Sequence, residues 1–498
     1  MTRATAQVRA LLALRWQMTR TPGLRLGLVL GAVALAWLLQ VVMTSGDELD
    51  APTLATAIEL APSAVLGFAV LAVIAPLTSG GGNEVVPPDQ LTPHPVRPTT
   101  QFLGGLVLAP LNLVWVVQLL ALAAMTAYLT LDASLWRGAL TTTLYVLCLT
   151  VLGQAVAWLV VGLRQTSRGR RTTGVAAGLL LLSAVTIVRT GNGNEVLAAS
   201  PTRSVVGAIS EGSTSTWMVT TTALLGLAVT ALLVGTGLCG WALRRPGDAG
   251  SARQLAPVRR RSSGRSVQRE LRAVDRASVW RAPALRRGGL VLAVLPGLLA
   301  AGAAVPWESL IVLPGLVAAG AGLLFGVNAF CLDGSGALWL ASLPHDPGRV
   351  ARAKAMVLAE TVLAAVVLAA VAGAARSPGS PSPAEVSGIV SAGLACTAVV
   401  VASCMRNSVR RPHRADLLGV RDAVAPPGAL AFASVRLAMP TALVGAVIAA
   451  AASGNTWWVP LVLGVAIVLG AGLSLSRTLQ RYDDPVVRAR VVQVVGAG

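Results

Sequence analysis

Charge is the scarcest property of this 498-residue chain. Only 12% of its residues are Asp, Glu, Lys or Arg, whereas 54% are hydrophobic, and the mean hydropathy is +0.70. A soluble domain of this size would need far more surface charge to remain dispersed. Its apolar stretches are too long for barrel strands and match the roughly 20 residues that a helix needs to cross a bilayer. The composition therefore predicts an all-α, polytopic membrane protein.

The chain also lacks the residue patterns of common enzymes. Its three histidines, His94, His345 and His413, have no metal-like spacing to carboxylates, and no nucleophile–base pair is recognisable. Its five cysteines form no CxxC pattern and lie in or beside apolar stretches, where packing is their expected role. No GxxxxGK[ST] motif occurs, so we expect no ATPase activity in this chain. We likewise expect no metal and no cofactor of its own.

Lysine is nearly absent, because Lys354 is the only lysine among 40 basic residues. This bias, together with the excess of Ala, Val and Gly, is typical of a GC-rich genome and not of a particular function. The net charge of +19 would suggest a nucleic-acid partner in a soluble protein. Here the arginines fall between the apolar runs, so we interpret them as determinants of membrane topology and expect no nucleic-acid partner.

Twelve apolar runs predict twelve transmembrane helices. With the N-terminus in the cytoplasm, the arginine-rich segments fall on the inner side and the acidic or sparsely charged loops fall outside. This pattern predicts a multi-pass protein of the cell membrane with both termini cytoplasmic. The runs cover residues 25–44, 54–78, 102–130, 139–163, 173–189, 217–241, 288–304, 308–330, 355–374, 386–405, 436–453 and 457–476.

Two landmarks recur in the same order, which predicts an internal duplication into two six-helix pseudo-repeats. The segment 20–30 is similar to 281–292, and the segment 91–95 is echoed by 342–347. Each landmark lies at the edge of an apolar run. The predicted domains are a first transmembrane half over residues 1–245, a flexible basic linker over 246–264, and a second transmembrane half over 265–498.

Residues 265–280, just ahead of the second half, predict an amphipathic helix. Val267, Leu271 and Val274 fall on one arc of this helix. The opposite side carries Arg265, Arg269, Arg272 and Arg276. Such a helix is expected to lie on the inner leaflet with its arginines toward anionic headgroups. A plain solvated linker is the alternative.

A Pro-His turn lies between the second and third runs of each half. In both loops an acidic residue stands near a Gly cluster, and the turn follows just before the next run. These segments are too polar for the membrane, and we interpret them as docking elements held below the bilayer. An ordinary turn between helices is the alternative. The candidate residues are Glu84, Asp89, Pro93, His94, Pro95 and Arg97 in the first half, and Asp333, Pro344, His345, Asp346 and Arg349 in the second.

This layout resembles the permease subunits of ABC-2 type exporters, and in particular fused permeases of actinobacteria in which two halves share one chain. The most similar piece is Asn328-Ala329-Phe330 followed by Asp333-Gly334-Ser335-Gly336. The resemblance implies that residues 84–97 and 333–349 are coupling elements. Each would sit in a groove of a separately encoded ATPase subunit, two copies in all, and ATP and Mg²⁺ would bind in those subunits.

The resemblance also implies short re-entrant helices between the fifth and sixth spans. The loop 190–216 is long enough to hold them, whereas the equivalent loop 453–456 is not.

Few polar residues interrupt the apolar runs, which predicts a hydrophobic or amphipathic substrate such as a drug, an antibiotic, a peptide or a lipid. Glu360 is one of them, and we expect it at a membrane interface or paired with Lys354 on the helix surface. The full set is Glu59, Asn112, Gln118, Gln154, Asn328 and Glu360.

A proton-coupled twelve-helix carrier of the major facilitator type is the main alternative. That family has Asp-Arg and Gly-Arg pairs between spans two and three, and the first such loop here has neither. Neither half presents a recognisable buried Asp/Arg pair, which a carrier of this type is expected to need. A non-transporting membrane scaffold or immunity protein is a third reading.

Overall fold

All regular structure in the computed structural model is helical within the residues that it describes. These are residues 40, 61–62, 65–70, 72–73, 97–108, 113–130, 135–190, 200–210, 213–245, 266–302, 304–413, 427–454 and 456–496. No strand occurs in these ranges. The expected all-α class is confirmed for this part of the chain. The first predicted run except Gln40, most of the second run and the linker 246–264 lie outside the described residues.

The described residues before position 249 form one compact unit, and those after it form another. The helices of the first unit are α1 Pro98–Leu108, α2 Leu113–Leu129, α3 Leu135–Arg164, α4 Ser167–Thr190, α5 Thr202–Ser210 and α6 Thr214–Arg244. Those of the second are α7 Val267–Arg281, α8 Pro283–Gly302, α9 Trp307–Leu310, α10 Leu313–Phe325, a 3-10 turn Cys331–Asp333, α11 Gly336–Ser342, α12 Pro347–Ala374, α13 Pro383–Arg410, α14 Pro427–Ser453, α15 Trp458–Asp483 and α16 Pro485–Gly496.

Seven described helices are long and apolar enough to cross a membrane, which agrees with a polytopic membrane protein. They coincide with the fourth, sixth to tenth and twelfth predicted runs. A shorter apolar helix, Met439–Ser453, coincides with the eleventh. The seven are Leu135–Arg164, Thr214–Arg244, Leu285–Gly302, Trp307–Phe325, Pro347–Ala374, Pro383–Arg410 and Trp458–Asp483.

The first unit is built on α3 and α6, which lie side by side. A Cβ on Gly235 of α6 would come within 2.4 Å of the Phe102 ring of α1, so this glycine permits close helix packing. The Tyr145 hydroxyl of α3 donates to the Val65 carbonyl at 2.8 Å. Within the loop 190–216, the short helix α5 buries its apolar side chains in the core of this unit.

Proline and capping side chains mark where the long helices of the second unit begin. Pro347 and Pro383 occupy the first turns of α12 and α13, where a missing N–H costs nothing. Ser382 and Glu385 form a capping box at the start of α13, in which each side chain accepts a hydrogen bond from the other residue's backbone N–H. These start signals are local and can be read directly from the sequence.

The core of the second unit is centred on α13, which contacts α10, α12, α14 and α15. Its Val400, Cys404 and Met405 are fully buried. All five cysteines of the chain are buried and form no disulfide, in agreement with a packing role. A Cβ on Gly326, just after α10, would lie 2.3 Å from the Cys404 sulfur and 2.6 Å from its Cβ, so α10 and α13 meet with no room for a larger residue.

We predict that Gly326→Ala lowers the free energy of unfolding of the second unit by about 1–3 kcal/mol, because the added methyl overpacks the contact with Cys404. Gly445→Ala in α14 is the control, since a Cβ there meets no atom within 4 Å. Thermal unfolding of the purified protein in detergent measures both. Equal melting temperatures for the two variants would contradict the proposed close packing.

Candidate functional site

The only lysine of the chain lies at the centre of a buried ion cluster. Lys354 Nζ, on α12, is 2.8 Å from Asp275 Oδ1 on α7 and 2.8 Å from Asp333 Oδ1 in the 3-10 turn. The side chains are only 3%, 10% and 17% exposed, respectively. One ammonium group thus connects the amphipathic helix α7, the start of the membrane-spanning helix α12, and the loop between α12 and the preceding span α10.

The electrostatics of this cluster are unbalanced, because two carboxylates share one ammonium. Burial raises the pKa of the Asp333 carboxyl above its ordinary value, and the charge and hydrogen bond of Lys354 oppose that rise. The Phe330 ring lies on the other side of the ammonium, with its centroid 5.9 Å from Nζ, and it stacks on Tyr482 of α15 at 4.8 Å between centroids. The end of α15 therefore helps to enclose the cluster.

A second ion pair joins the same two helices on their exposed side. The Arg276 guanidinium donates two hydrogen bonds to Glu360, at 2.7 and 2.8 Å, and Arg272 lies 3.7 Å from the same carboxylate. The expected surface pair of Glu360 with Lys354 is therefore wrong. Lys354 instead binds the two buried carboxylates, and Glu360 pairs with Arg276 and Arg272 on the exposed side of α7.

Of the four arginines expected at the inner leaflet, Arg272 and Arg276 have a protein partner that the sequence did not predict. Arg269 is exposed, and Arg265 lies outside the described residues. The apolar arc of α7 is only partly packed into the unit, because Leu271 is half-buried whereas Val267 and Val274 are exposed. The buried residues of this helix are Asp275 and Val279, so its attachment to the unit is largely polar.

The candidate docking residues of the first half lie almost wholly outside the described part of the chain, namely Glu84, Asp89, Pro93, His94 and Pro95. Arg97 is described, is exposed and immediately precedes α1. Its carbonyl accepts hydrogen bonds from the Thr100 and Gln101 amides at 2.9 and 3.2 Å, so its backbone starts this helix.

In the second half, the candidate docking residues have different surroundings. Asp333 belongs to the buried cluster. Asp346 caps α12 by accepting from the Gly348 amide at 3.0 Å, and it pairs with Arg352 at 3.0 Å and more loosely with Arg349 at 3.9 Å. Asp333 and Asp346 thus secure the two ends of the segment that contains α11.

The two remaining candidates lie on the connection between α11 and α12. Pro344 is exposed, and His345 is half-buried. The His345 amide donates to the Leu343 carbonyl at 2.8 Å, which tightens the turn ahead of α12.

Between those two anchors, α11 presents large apolar side chains to the outside. Trp339 is 78% exposed, and Leu338 and Leu343 are about half exposed. One side of α11 is covered by α16, whose Gly496 approaches Leu338. An exposed tryptophan on a short, anchored helix is typical of a contact surface for a partner.

The sequence analysis missed Lys354, Asp275 and Trp339. Two signals pointed to the first pair: a unique lysine at the start of an apolar run, and an aspartate among the arginines of the amphipathic helix. The partners are 79 and 21 residues apart along the chain, so only the fold brings them together. Within the described ranges, no group of three or more His, Cys, Asp or Glu side chains is arranged to hold a metal ion.

Comparisons of this chain with family models, with curated proteins and with solved structures found no match.

We predict that Lys354→Met destabilises the second unit by about 3–5 kcal/mol, because it leaves two carboxylates buried without a cation. The triple variant Lys354→Met, Asp275→Asn, Asp333→Asn should recover much of this loss, since no charge then remains in the cluster. Glu360→Gln is the control, and removing this exposed pair should cost less than about 1 kcal/mol. Chemical or thermal unfolding in detergent gives the comparison, and a triple variant no more stable than Lys354→Met would contradict the buried-charge explanation.

Proposed function

We propose that this chain is the membrane permease of an ATP-driven exporter of the ABC-2 type. It would have twelve membrane-spanning helices in two six-helix halves, both termini in the cytoplasm, and a place in the cell membrane. The observation that carries the proposal is α11, a short helix with an exposed tryptophan that is anchored at both ends to a membrane-spanning helix.

The anchoring suits a coupling element. The turn before α11 is attached to α12 through Asp333 and Lys354, and the turn after α11 ends at Asp346, the N-cap of α12. A partner that moved α11 would therefore move the start of α12. Because Lys354 also binds Asp275, the same displacement would reach α7. A partner bound to the small surface of α11 would therefore act on two helices, α12 and α7.

The arginines favour a cytoplasmic position for this surface. The start of α12 carries Arg349 and Arg352, and the ends of α13 and α15 carry Arg410 and Arg481. Positive residues of this kind concentrate on the inner side of a membrane, where an ATPase would be available. ATP and Mg²⁺ would bind in two copies of that separate subunit, and this chain would supply the path for a hydrophobic or amphipathic substrate.

A proton-coupled carrier stays a second candidate because of one specific observation. The sequence analysis found no buried ion pair of the kind that such a carrier needs, yet Lys354, Asp275 and Asp333 form one near the end of a membrane-spanning helix. Buried ionisable groups at such depth are often functional. In a carrier, this cluster would bind and release protons during transport. In a permease of an ABC exporter, it would serve as a fixed structural contact.

We predict that the chain, purified gently from its native membrane, carries two copies of an ATP-binding subunit, and that Trp339→Glu removes them. The charge would be buried unpaired in the partner's groove, at a cost of several kcal/mol. Trp280→Glu is the matched control, because Trp280 lies on α7 and is 60% exposed. Native mass spectrometry reads the stoichiometry of each complex.

Two results would contradict the permease assignment. One is a wild-type chain that carries no ATP-binding subunit. The other is transport that survives ATP depletion and stops when the proton gradient is collapsed, which would favour the carrier.

A further inference from the structure

An apolar groove of about 610 Å³ runs between α12, α13 and α15 of the second unit. Its sides include Met356 of α12 and Val465 of α15, and both of these side chains are partly open to the surroundings. On α15 the lining residues extend from Leu461 to Leu479. At a rise of about 1.5 Å per residue this is roughly 27 Å, close to the thickness of the hydrocarbon core.

Two hydroxyl groups in this groove are buried and have no hydrogen-bond partner in the described structure. They are Ser391 Oγ and Thr397 Oγ1 of α13, in residues that are 3% and 6% exposed. Neighbouring hydroxyls behave differently. Thr361 of α12, Ser408 of α13 and Thr478 of α15 each donate to the carbonyl four residues earlier. Leaving a buried hydroxyl unpaired costs about 1–3 kcal/mol, so a ligand oxygen that accepted a hydrogen bond from either hydroxyl would be stabilised in this groove.

One end of the groove is positively charged. Arg352 lines it and shares the carboxylate of Asp346 with Arg349, and the carboxylate of Asp483 lies close by, 3.0 Å from where a Cβ on Gly348 would be. Arg406 of α13, which donates to Ser474 of α15, adds a third guanidinium group, so three positive charges face two carboxylates. The groove therefore offers a cationic end, a long apolar channel and two hydroxyl groups partway along it.

We propose that this groove binds an elongated lipophilic anion that carries an oxygen acceptor partway along its apolar body. Its acidic group would lie at the Arg352 end, and a carbonyl, ether or hydroxyl oxygen would accept a hydrogen bond from either Ser391 or Thr397, which lie about 9 Å apart along α13. A plain acyl chain fits this pattern poorly, because it would leave both hydroxyls unpaired. Binding in this groove requires neither ATP nor an ATPase, so this proposal can be tested independently of the proposed function.

The test compares two acids that differ only in the mid-chain oxygen, 12-oxooctadecanoic acid and octadecanoic acid. Saturable binding of each tritiated acid to the full chain in lipid nanodiscs is measured without nucleotide. We expect the keto acid to bind about three- to tenfold more tightly, the range of one net hydrogen bond. The variant Ser391→Ala, Thr397→Val should bind both acids equally.

Two controls separate recognition from general packing. Ser387→Ala lies on the same helix and removes a hydroxyl that already donates to the Ala384 carbonyl, so the preference for the keto acid should persist. The methyl ester of the keto acid should bind more weakly to the unmodified protein than the free acid does, because it lacks the negative charge that faces Arg352.

Three results would overturn the proposal. The first is equal binding of the two acids to the unmodified protein, and the second is a preference that survives in the double variant. The third is an absence of saturable binding, which would mean that another part of the chain covers the groove.

Discussion

The arrangement of the second unit depends on where the single ammonium group of Lys354 can be neutralised. A buried cation is costly unless carboxylates surround it, and here they come from α7 and from the turn before α11. Apolar packing holds α7 only in part, because Val267 and Val274 of its apolar arc are exposed. The ion cluster adds a contact that fixes the position of α7 relative to α12. Its value therefore lies in specifying the position of α7 and α11 relative to α12, more than in net stability.

The same stretch of α12 serves the cluster, the cap and the groove. Arg352 lines the groove and binds the capping Asp346, Lys354 holds the cluster two residues later, and Met356 returns to the groove wall. A displacement of α11 that pulled on Asp333 would thus alter the wall of the groove within about one helical turn. The proposed docking surface and the proposed ligand groove thus share one segment of α12, through which a coupled transporter would link them.

Much of the fold was predictable from local sequence signals. Long apolar runs placed the spanning helices, Pro347 and Pro383 marked helix starts, and the arginine periodicity placed α7 to within two residues. The residues of the candidate site were harder to predict from the sequence. Asp333 was chosen for docking because it stands beside a glycine cluster ahead of the Pro-His turn, yet it is buried against a lysine 21 residues away. Of the two alternatives for Glu360, a membrane interface or a pair with Lys354, the pair is wrong, since side-chain direction around α7 and α12 decides which cation reaches it. Trp339 carried no periodic signal because α11 is only seven residues long.

The most direct measurement of the central claim is hydrogen–deuterium exchange of the full chain, unmodified and with Lys354→Met. If Lys354 joins three elements, amides of α7 and of the turn Cys331–Asp333 should lose protection together in the variant, while amides at the centre of α13 keep theirs. Unchanged protection in α7 would contradict the claim that the lysine positions this helix. Equal loss of protection throughout α13 would show that the lysine serves the folding of the whole unit instead.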